Sequence, residues 1–497
     1  ECPSLMSSFC CRPLAVALAL CLRLSANGAE PAAPADPAPP PADRTDAAQA
    51  QELDRIVVTA SRAGTALEDL PVSVSVVGEE DLQAQLVQDR NILAALESTV
   101  PGLSVSDSED RGSCLTRLRG RTPSFQINGV PVNEDLRPGS CTGPFAVSPF
   151  ALERVDVVRG GTALYGAGAP GGIINLVTRR AAGSALEVDA TLQTSVNTRR
   201  SADTRITDAY AGMGRVQGAF DYYIGLAHTD AGRHRSASGR PLPSGDYRAS
   251  NLVGALGWSG EDGRELRFTV SLYEEDVGAQ FYPDGTVDED GLADIVEVAP
   301  HPYAEQGRDR QRILSLSYTQ PEWLGHRLSA SLFHQAQSIR QRDNFFSAES
   351  GDDFFASDRE NARLGLRTTL VRSDRLGEAT LKTSYGLDWT RNRFRRFIVD
   401  PAAGSAIVGY ITPDFFLDTT AVFVQTELAL GALDLTAGLR HERYRGEITD
   451  RGYDPALPRA ATSLEFLVVW ELITLSSYFL VVQRRTAAPH ALRYLLF

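Results

Sequence analysis

Lysine is all but missing from this chain of 497 residues. Lys382 is the single one among 49 basic side chains, and every other is an arginine. The bias fits GC-rich coding better than any chemistry, although it supplies many always-charged donors for anionic ligands. An excess of positive charge is missing too: the net charge is −14 and the isoelectric point is near 5.1, which leaves no basic face for nucleic acid. Histidine is scarce, with seven scattered residues and no H-E-x-x-H, and no G-x-S-x-G occurs. Those absences leave no candidate for covalent chemistry, and the chain reads as a non-enzyme for which no cofactor or resident metal is expected. Apolar residues make up only 43% of the chain, fewer than a helical membrane bundle needs. A β-barrel, which alternates lipid-facing and lumen-facing residues, has such an average.

Cysteine is confined. Four of the six, Cys2, Cys10, Cys11 and Cys21, fall in a segment that reads as a secretory signal over residues 1–29. Met6 is a plausible start, Arg12 supplies the basic region, residues 14–22 are apolar and small residues follow at 25–29. The apolar stretch is too short to span a bilayer. Leu20 before Cys21 argues against a lipid anchor there. Export leaves Cys114 and Cys141, which in an oxidising compartment read as a disulfide worth about 3–4 kcal/mol by the chain-entropy model. Two unpaired buried thiols are the alternative. Residues 30–53 are Pro/Ala-rich, with Pro31, Pro34, Pro37, Pro39, Pro40 and Pro41 inside eleven residues, and form an extended linker.

The most informative stretch is 151–180, ALERVDVVRGGTALYGAGAPGGIINLVTRR. Gly166, Gly168 and Gly171 match the dinucleotide fingerprint G-x-G-x-x-G, but the context is wrong. Gly172 leads into the β-branched run 173–178 rather than a helix, and Pro170 cannot offer a backbone N–H to a phosphate. The glycines are better suited to tight turns and close backbone approach. Over thirty residues the segment resembles the plug domain of TonB-dependent outer-membrane receptors. Residues 115–120 (LTRLRG) and 125–132 (FQINGVPV) are similar to two further plug strands of that family, and Asn128-Gly129 is a strong hairpin signal. Upstream, 70–77 alternates as a strand, Glu79, Glu80 and Asp81 open a helix, and 91–96 forms a second one ending before Val100-Pro101-Gly102. Asp54, Arg55, Ile56, Val57, Val58, Thr59 and Ala60 resemble the TonB box, a β-prone peptide on a flexible tether that can add as a strand to a partner's sheet edge. The plug is assigned to 61–183. Arg117, Arg119, Glu153, Arg154 and Arg159 are expected to make plug-to-barrel charge contacts.

From 184 the period becomes two. In 265–273 (ELRFTVSLY) Leu266, Phe268, Val270 and Leu272 share a face, and similar runs occupy 186–196, 220–227, 252–258, 314–318, 328–333, 364–370, 381–389, 422–430 and 433–439. Long polar loops alternate with short turns such as 430–433, as outer-membrane barrels require. A soluble β-sandwich is the rival reading. The fold expected is an α+β plug domain inside a transmembrane antiparallel β-barrel. The family has roughly 22 strands, of which 184–460 supplies about half. Past 460 the character changes: 466–482 is an almost unbroken apolar run, and 461–497 is read as an anomalous tail, out of frame.

The resemblance implies a receptor of the bacterial outer membrane, with the TonB energy transducer, outer-membrane lipid and a ferric siderophore as partners. Importers of cobalamin, haem or a glycan, and a non-transporting truncated remnant, are alternatives. Candidate ligand-binding residues are Arg137 and Ser140 on the plug, and Tyr282, His301, Tyr303, Phe345 and Phe346 in outer loops. Thr286, Asp288, Asp290, Gly291 and Glu297 approximate a calcium loop, but its first position should be acidic; an acidic outer loop is the preferred reading.

Overall fold

The computed structural model describes residues 73–449 and 460–469, apart from 107–114, 134–142, 160–168, 199–200, 202, 234, 236–245, 278–280, 288–292, 298–306, 344–354, 401–402 and 432. It gives the backbone alone for 281–287, 293–297, 342–343, 355–356, 433–434 and 460–469. The plug begins with β1 (Ser73–Val77), α1 (Glu79–Gln88) and α2 (Ile92–Thr99). It continues with β2 (Leu103–Ser106), β3 (Leu115–Leu118), β4 (Ser124–Ile127), β5 (Val130–Pro131), β6 (Leu152–Arg159) and β7 (Gly172–Thr178). Five of its strands form one sheet in the order β1-β6-β7-β4-β5, in which β4 and β7 run parallel, while β2 and β3 make a separate pair.

The local signals explain these elements. Three acids sit in the first turn of α1, where they complement the helix dipole. Asn91 caps α2, accepting a hydrogen bond from Leu93 N at 2.9 Å. Asn128 and Gly129 both have positive φ, the geometry of a type I′ turn. The hairpin they close is clamped by the glycine-rich motif's own strand. Asn175 Oδ1 accepts from Gly129 N at 2.8 Å, Thr178 N donates to Asn128 Oδ1 at 3.0 Å, and Asn128 Nδ2 donates to Thr178 Oγ1. Gly172 opens strand β7, not a helix, so the fingerprint is no phosphate loop. A Cβ on Gly171 would come 2.7 Å from Arg121 O, which is why the chain can approach there only with glycine. Leu82, Leu86, Leu93, Leu96, Leu118, Phe125, Ile127, Leu152, Val155 and Ile174 form the plug's core.

The second assembly is one antiparallel sheet of twelve strands, ordered by sequence apart from the hairpin β13 (Phe281–Val287) and β14 (Ala293–Glu297). Its strands are β8 (Glu187–Ser195), β9 (Ile206–Gln217), β10 (Phe220–Ala231), β11 (Tyr247–Ser259), β12 (Glu265–Val277) and β15 (Arg308–Trp323), then β16 (His326–Asp343), β17 (Phe355–Leu376), β18 (Ala379–Asp400), β19 (Ala406–Leu430), β20 (Leu433–Ile448) and β21 (Ala460–Val469). Turns of two to five residues at 218–219, 260–264, 324–325, 377–378 and 431–432 lie at one end and connections of five residues or more at the other. Strand β21 extends the sheet past residue 460, pairing Glu442 with Phe466 and Arg443 with Glu465.

Nine of the ten alternating runs fall inside strands, and the tenth, 186–196, overruns β8 by one residue at each end. Strand β9 carries no such run because its alternation is built from small residues: Thr207, Ala209, Ala211 and Met213 on one face, and Gly212 and Gly214 among Ile206, Asp208 and Tyr210 on the other. The glycines make room for the rings of Tyr210 and Tyr223, which a Cβ at Gly212 or Gly225 would strike.

The sheet is amphipathic in the reverse sense to a soluble protein. Phe220, Ile224, Leu256, Phe268, Leu314, Leu316, Leu332, Leu364, Leu387, Val422 and Leu439 are exposed, whereas Asp208, Asp221, Asn251, Gln311, Gln335, Asn361, Arg363, Asp388 and Arg440 are buried. Opposite partners in an antiparallel register share a face, so Ile224, Gly254, Val270 and Leu314 form one outward row. A soluble sandwich would bury that row; a barrel wall presents it to lipid. The strands of 16–25 residues in β15–β20 exceed the roughly 9–11 that cross a bilayer and carry the wall beyond the membrane at the long-loop end. Replacing Ile224 by arginine should therefore destabilise the bilayer-inserted protein by about 2–4 kcal/mol, read as a lower urea midpoint in vesicles. A neutral effect would put that row in water.

Candidate functional site at the plug and barrel interface

Where the wall meets the plug its inward face carries both polar and apolar groups, and the plug meets it with hydrogen bonds and with apolar contact. Arg90, just past α1, donates to Asp208 of β9 at 3.2 Å and to Tyr247 of β11 at 2.7 Å. Gln193 of β8 donates to Leu86 O at 3.1 Å. Ser148 N donates to Asn251 of β11 at 3.0 Å. On the far side of the plug, Arg363 and Arg367 of β17 donate to the carbonyls of Pro131 and Gly129 at 3.2 and 2.7 Å, so two barrel arginines grip the tip of the clamped hairpin. Apolar contact is added by Tyr210, Ala227, Val253, Tyr273, Ile313 and Phe333, which join the plug's core from the wall.

Arg179 stands where the plug chain leaves β7 for the barrel. It pairs with Glu79 at the start of α1 at 2.8 Å, with Asp189 of β8 at 3.4 Å, and donates to Phe150 O at 3.0 Å. Asp189 in turn accepts from Tyr223, whose hydroxyl meets that of Tyr210 at 2.6 Å. Burial disfavours the Arg179 cation, but Glu79 and Asp189 outweigh it and hold its pKa above the ordinary arginine value. One side chain thus ties α1, the plug exit and the first barrel strand together.

Between these grips the wall carries polar groups that bond to nothing. Both amide atoms of Gln311, Gln335 and Asn361 are buried without a hydrogen-bond partner, as is Ser357 Oγ. Gln311 faces Gln337 and Gln337 faces Asn361 across β15, β16 and β17, and Gln335 lies next below, opposite Arg363. Buried amides left dry cost several kcal/mol together, so this lane is suited to water or a polar solute. At the long-loop end a cavity of about 530 Å³ is lined by Ser201, Asp203, Arg205, Asp230, Arg233 and Asp246 among others. Asp203 accepts from Arg235 there, at 3.1 Å from Nε. That hydrogen bond holds the Asp203 carboxyl below the usual carboxylate range, against the opposing effect of burial.

Of the expected charge contacts, those described for Arg154, Arg159 and Arg117 lie within the plug. Arg154 bonds Glu153 and Asp156, Arg159 bonds Pro101 O and Ser75 Oγ, and Arg117 bonds Thr116 O. All of these partners are plug groups, because β6 lies inside the plug sheet between β1 and β7. The crossings run through Arg90, Arg179, Arg363 and Arg367, a set that sequence reasoning missed; the signal available was a polar residue recurring on the non-lipid face of an alternating run. Residues 54–60, Cys114, Arg137, Ser140, Cys141, His301, Tyr303, Phe345 and Phe346 lie outside the described residues. Tyr282 lies on strand β13, opposite Val296, in the long connection from β12 to β15.

Comparison with known proteins gives the same two parts. The chain matches the TonB-dependent Receptor Plug Domain model over residues 66–173 and the TonB dependent receptor-like β-barrel model over residues 257–479. It is 24% identical over 428 residues to the rhizobactin receptor of Rhizobium meliloti, covering 80% of this chain and 56% of that protein. It is 23% identical over 445 residues to the ferric aerobactin receptor of Klebsiella pneumoniae, covering 81% and 57%. The chain therefore spans a little over half the length of these relatives. The unliganded ferric citrate transporter FecA superposes with a TM-score of 0.61 at 18% identity, over 80% of this chain and 59% of that one.

Two consequences can be measured. Substituting Arg179 by glutamine should weaken the hold on α1 by about 1–2 kcal/mol, seen as faster amide exchange in Glu79–Gln88; unchanged exchange would make the contact incidental. At the mouth, Arg233 N donates to Asp203 O and Gly232 N to Arg205 O. The depressed Asp203 pKa means that this corner is at full strength at neutral pH and loosens only as the pH drops below about 4. Exchange of the two amides should show that acid step in the native chain and lack it in Asp203→Asn.

Proposed function

Given that the chain belongs to the TonB-dependent receptors of the bacterial outer membrane, we propose that it serves the TonB-driven import of a ferric siderophore. The family is one of transport receptors rather than enzymes. The relatives named for rhizobactin and ferric aerobactin support a siderophore as solute. The observation that carries the reading is a globular plug held by individual hydrogen bonds and ion pairs to the polar inner face of a sheet whose outer face is apolar. Such contacts are each worth about 1 kcal/mol net and can be broken in sequence by a pull, which a dry apolar interface would resist.

In this mechanism the siderophore settles at the long-loop end, against Arg137 and Ser140 of the plug and Tyr282, His301, Tyr303, Phe345 and Phe346 of the outer loops. A bridge between Cys114 and Cys141 would hold the plug loop that carries Arg137. Arginine suits the anionic chelate because its donors form charge-assisted hydrogen bonds. Asp54 to Ala60 then pairs as an added strand with the transducer. Force on this segment reaches β1 and α1 first, and so the Glu79–Arg179–Asp189 tie. The plug shifts, and the unpartnered amides of Gln311, Gln335 and Asn361 offer polar groups along the opened lane.

Proline at Val57 removes a backbone N–H from the added strand. Radioiron uptake into cells carrying Val57→Pro should fall to background while the siderophore's affinity stays within about twofold. Equal loss of both, or uptake of cobalamin in place of iron, would overturn the reading.

A further inference from the structure

The outer surface carries a feature that import does not use. Above the apolar rows of β18, β19 and β20 the outward positions turn abruptly cationic. Reading toward the long-loop end, the outward rows are Tyr385, Val424 and Leu439, then Leu387, Val422 and His441, then Trp389, Thr420 and Arg443. Next come Arg391, Asp418 and Arg445, and then Arg393, Phe416 and Glu447. The inward neighbours Asn392, Phe394, Ala421, Phe423, Arg440 and Glu442 are buried, which fixes the arginine rows on the outside.

Height follows from the strand. Arg391 is twelve residues beyond Ala379, where β18 begins at the short-turn end. At about 3.3 Å per residue that is roughly 40 Å along the strand. A tilt of about 35–45° reduces it to roughly 28–33 Å of height, just above an apolar band about 25 Å tall. Trp389 below it sits at the level where aromatic side chains mark the membrane interface. The arginine rows thus lie at the depth of the outer leaflet's head groups.

Among the described residues, no ion pair closer than 3.7 Å joins Arg391, Arg393 or Arg445 to an acid. Arg391 reaches Asp418 only at 3.7 Å, too far for a hydrogen bond, and Asp418 Oδ1 has no hydrogen-bond partner. Arg391 and Arg393 both lean on one ring, with guanidinium carbons 4.6 and 5.6 Å from the Phe416 centroid. Cation–π contact holds two like charges on the same support. Arg393 and Arg445 are exposed. Two outward arginines elsewhere are closely ion-paired: Arg310 has Glu274 at 2.8 Å, and Arg372, near the short-turn end, has Asp374 at 2.9 Å.

We propose that Arg391, Arg393 and Arg445, set around Phe416 on the outer surface of β18–β20, bind the phosphate of an outer-leaflet lipid whose chains lie along Leu387, Val422, Val424 and Leu439. Guanidinium groups bind phosphate through paired N–H donors, and the exposed apolar rows directly below receive the acyl chains. A free phosphate would use only the upper half of this surface.

The test is lipid retention by the purified full chain in dodecyl maltoside, with dioleoyl phosphatidic acid as probe, phosphatidylcholine of the same chains as the neutral control and inorganic phosphate as competitor. Native mass spectrometry should show phosphatidic acid bound and phosphatidylcholine not. Arg391→Gln/Arg393→Gln should weaken retention at least tenfold, Arg391→Lys/Arg393→Lys should keep part of it, and Arg372→Gln should leave it unchanged. Heat-modifiable gel migration identifies variants that remain folded. Equal retention by the glutamine double variant overturns the proposal. Complete displacement by an equal concentration of inorganic phosphate overturns the lipid assignment and makes the patch a free-anion site.

Discussion

Everything in this molecule depends on where the wall's backbone and side chains find their partners. A sheet in hydrocarbon must pair its N–H and C=O groups from strand to strand, because lipid offers none. It must also direct apolar side chains outward. Once that is done the inward side chains are free to be polar, and the chain uses this freedom fully. Asp208, Asn251, Gln335, Arg363 and Arg440 are buried, while leucines and phenylalanines are exposed. The plug is then a guest in a polar room, held by named bonds and not only by exclusion of water.

The two kinds of contact divide the plug's interior from its boundary. Inside, Leu93, Phe125 and Ile174 pack as in any soluble core, and loss of one such side chain costs about 2–5 kcal/mol. At the boundary, Arg90, Arg179, Arg363 and Arg367 each hold one or two groups, and unpartnered amides lie between them. A domain built this way can move as a unit while keeping its own fold. On the outside of the wall Arg310 is closely paired with Glu274, whereas Arg391 and Arg393 lean on the ring of Phe416.

Much of the plug was legible because its signals are local. The acids opening α1, the Asn91 cap and the Asn128-Gly129 turn specify their own geometry within a few residues. The glycine-rich segment was legible as a family pattern, and its non-nucleotide nature followed from the β-branched residues after Gly172. The wall was legible wherever large apolar residues alternate with polar ones, as in Glu265–Val277, and illegible in Ile206–Gln217, where glycine and alanine flatten the contrast.

The sequence by itself determined the periodicities, the turns, the order of the two parts and the residue types available at the interface, because each depends on neighbours a few positions away. Only the tertiary structure decided which charges cross between the parts. Arg154 and Arg159 bond within the plug and Arg179 and Arg367 across its boundary, although all four are arginines beside or within strands. That choice depends on which strand is interior to the plug sheet and which faces the lumen: β6 pairs with β1 some eighty positions away, whereas Arg367 meets Gly129 across more than two hundred.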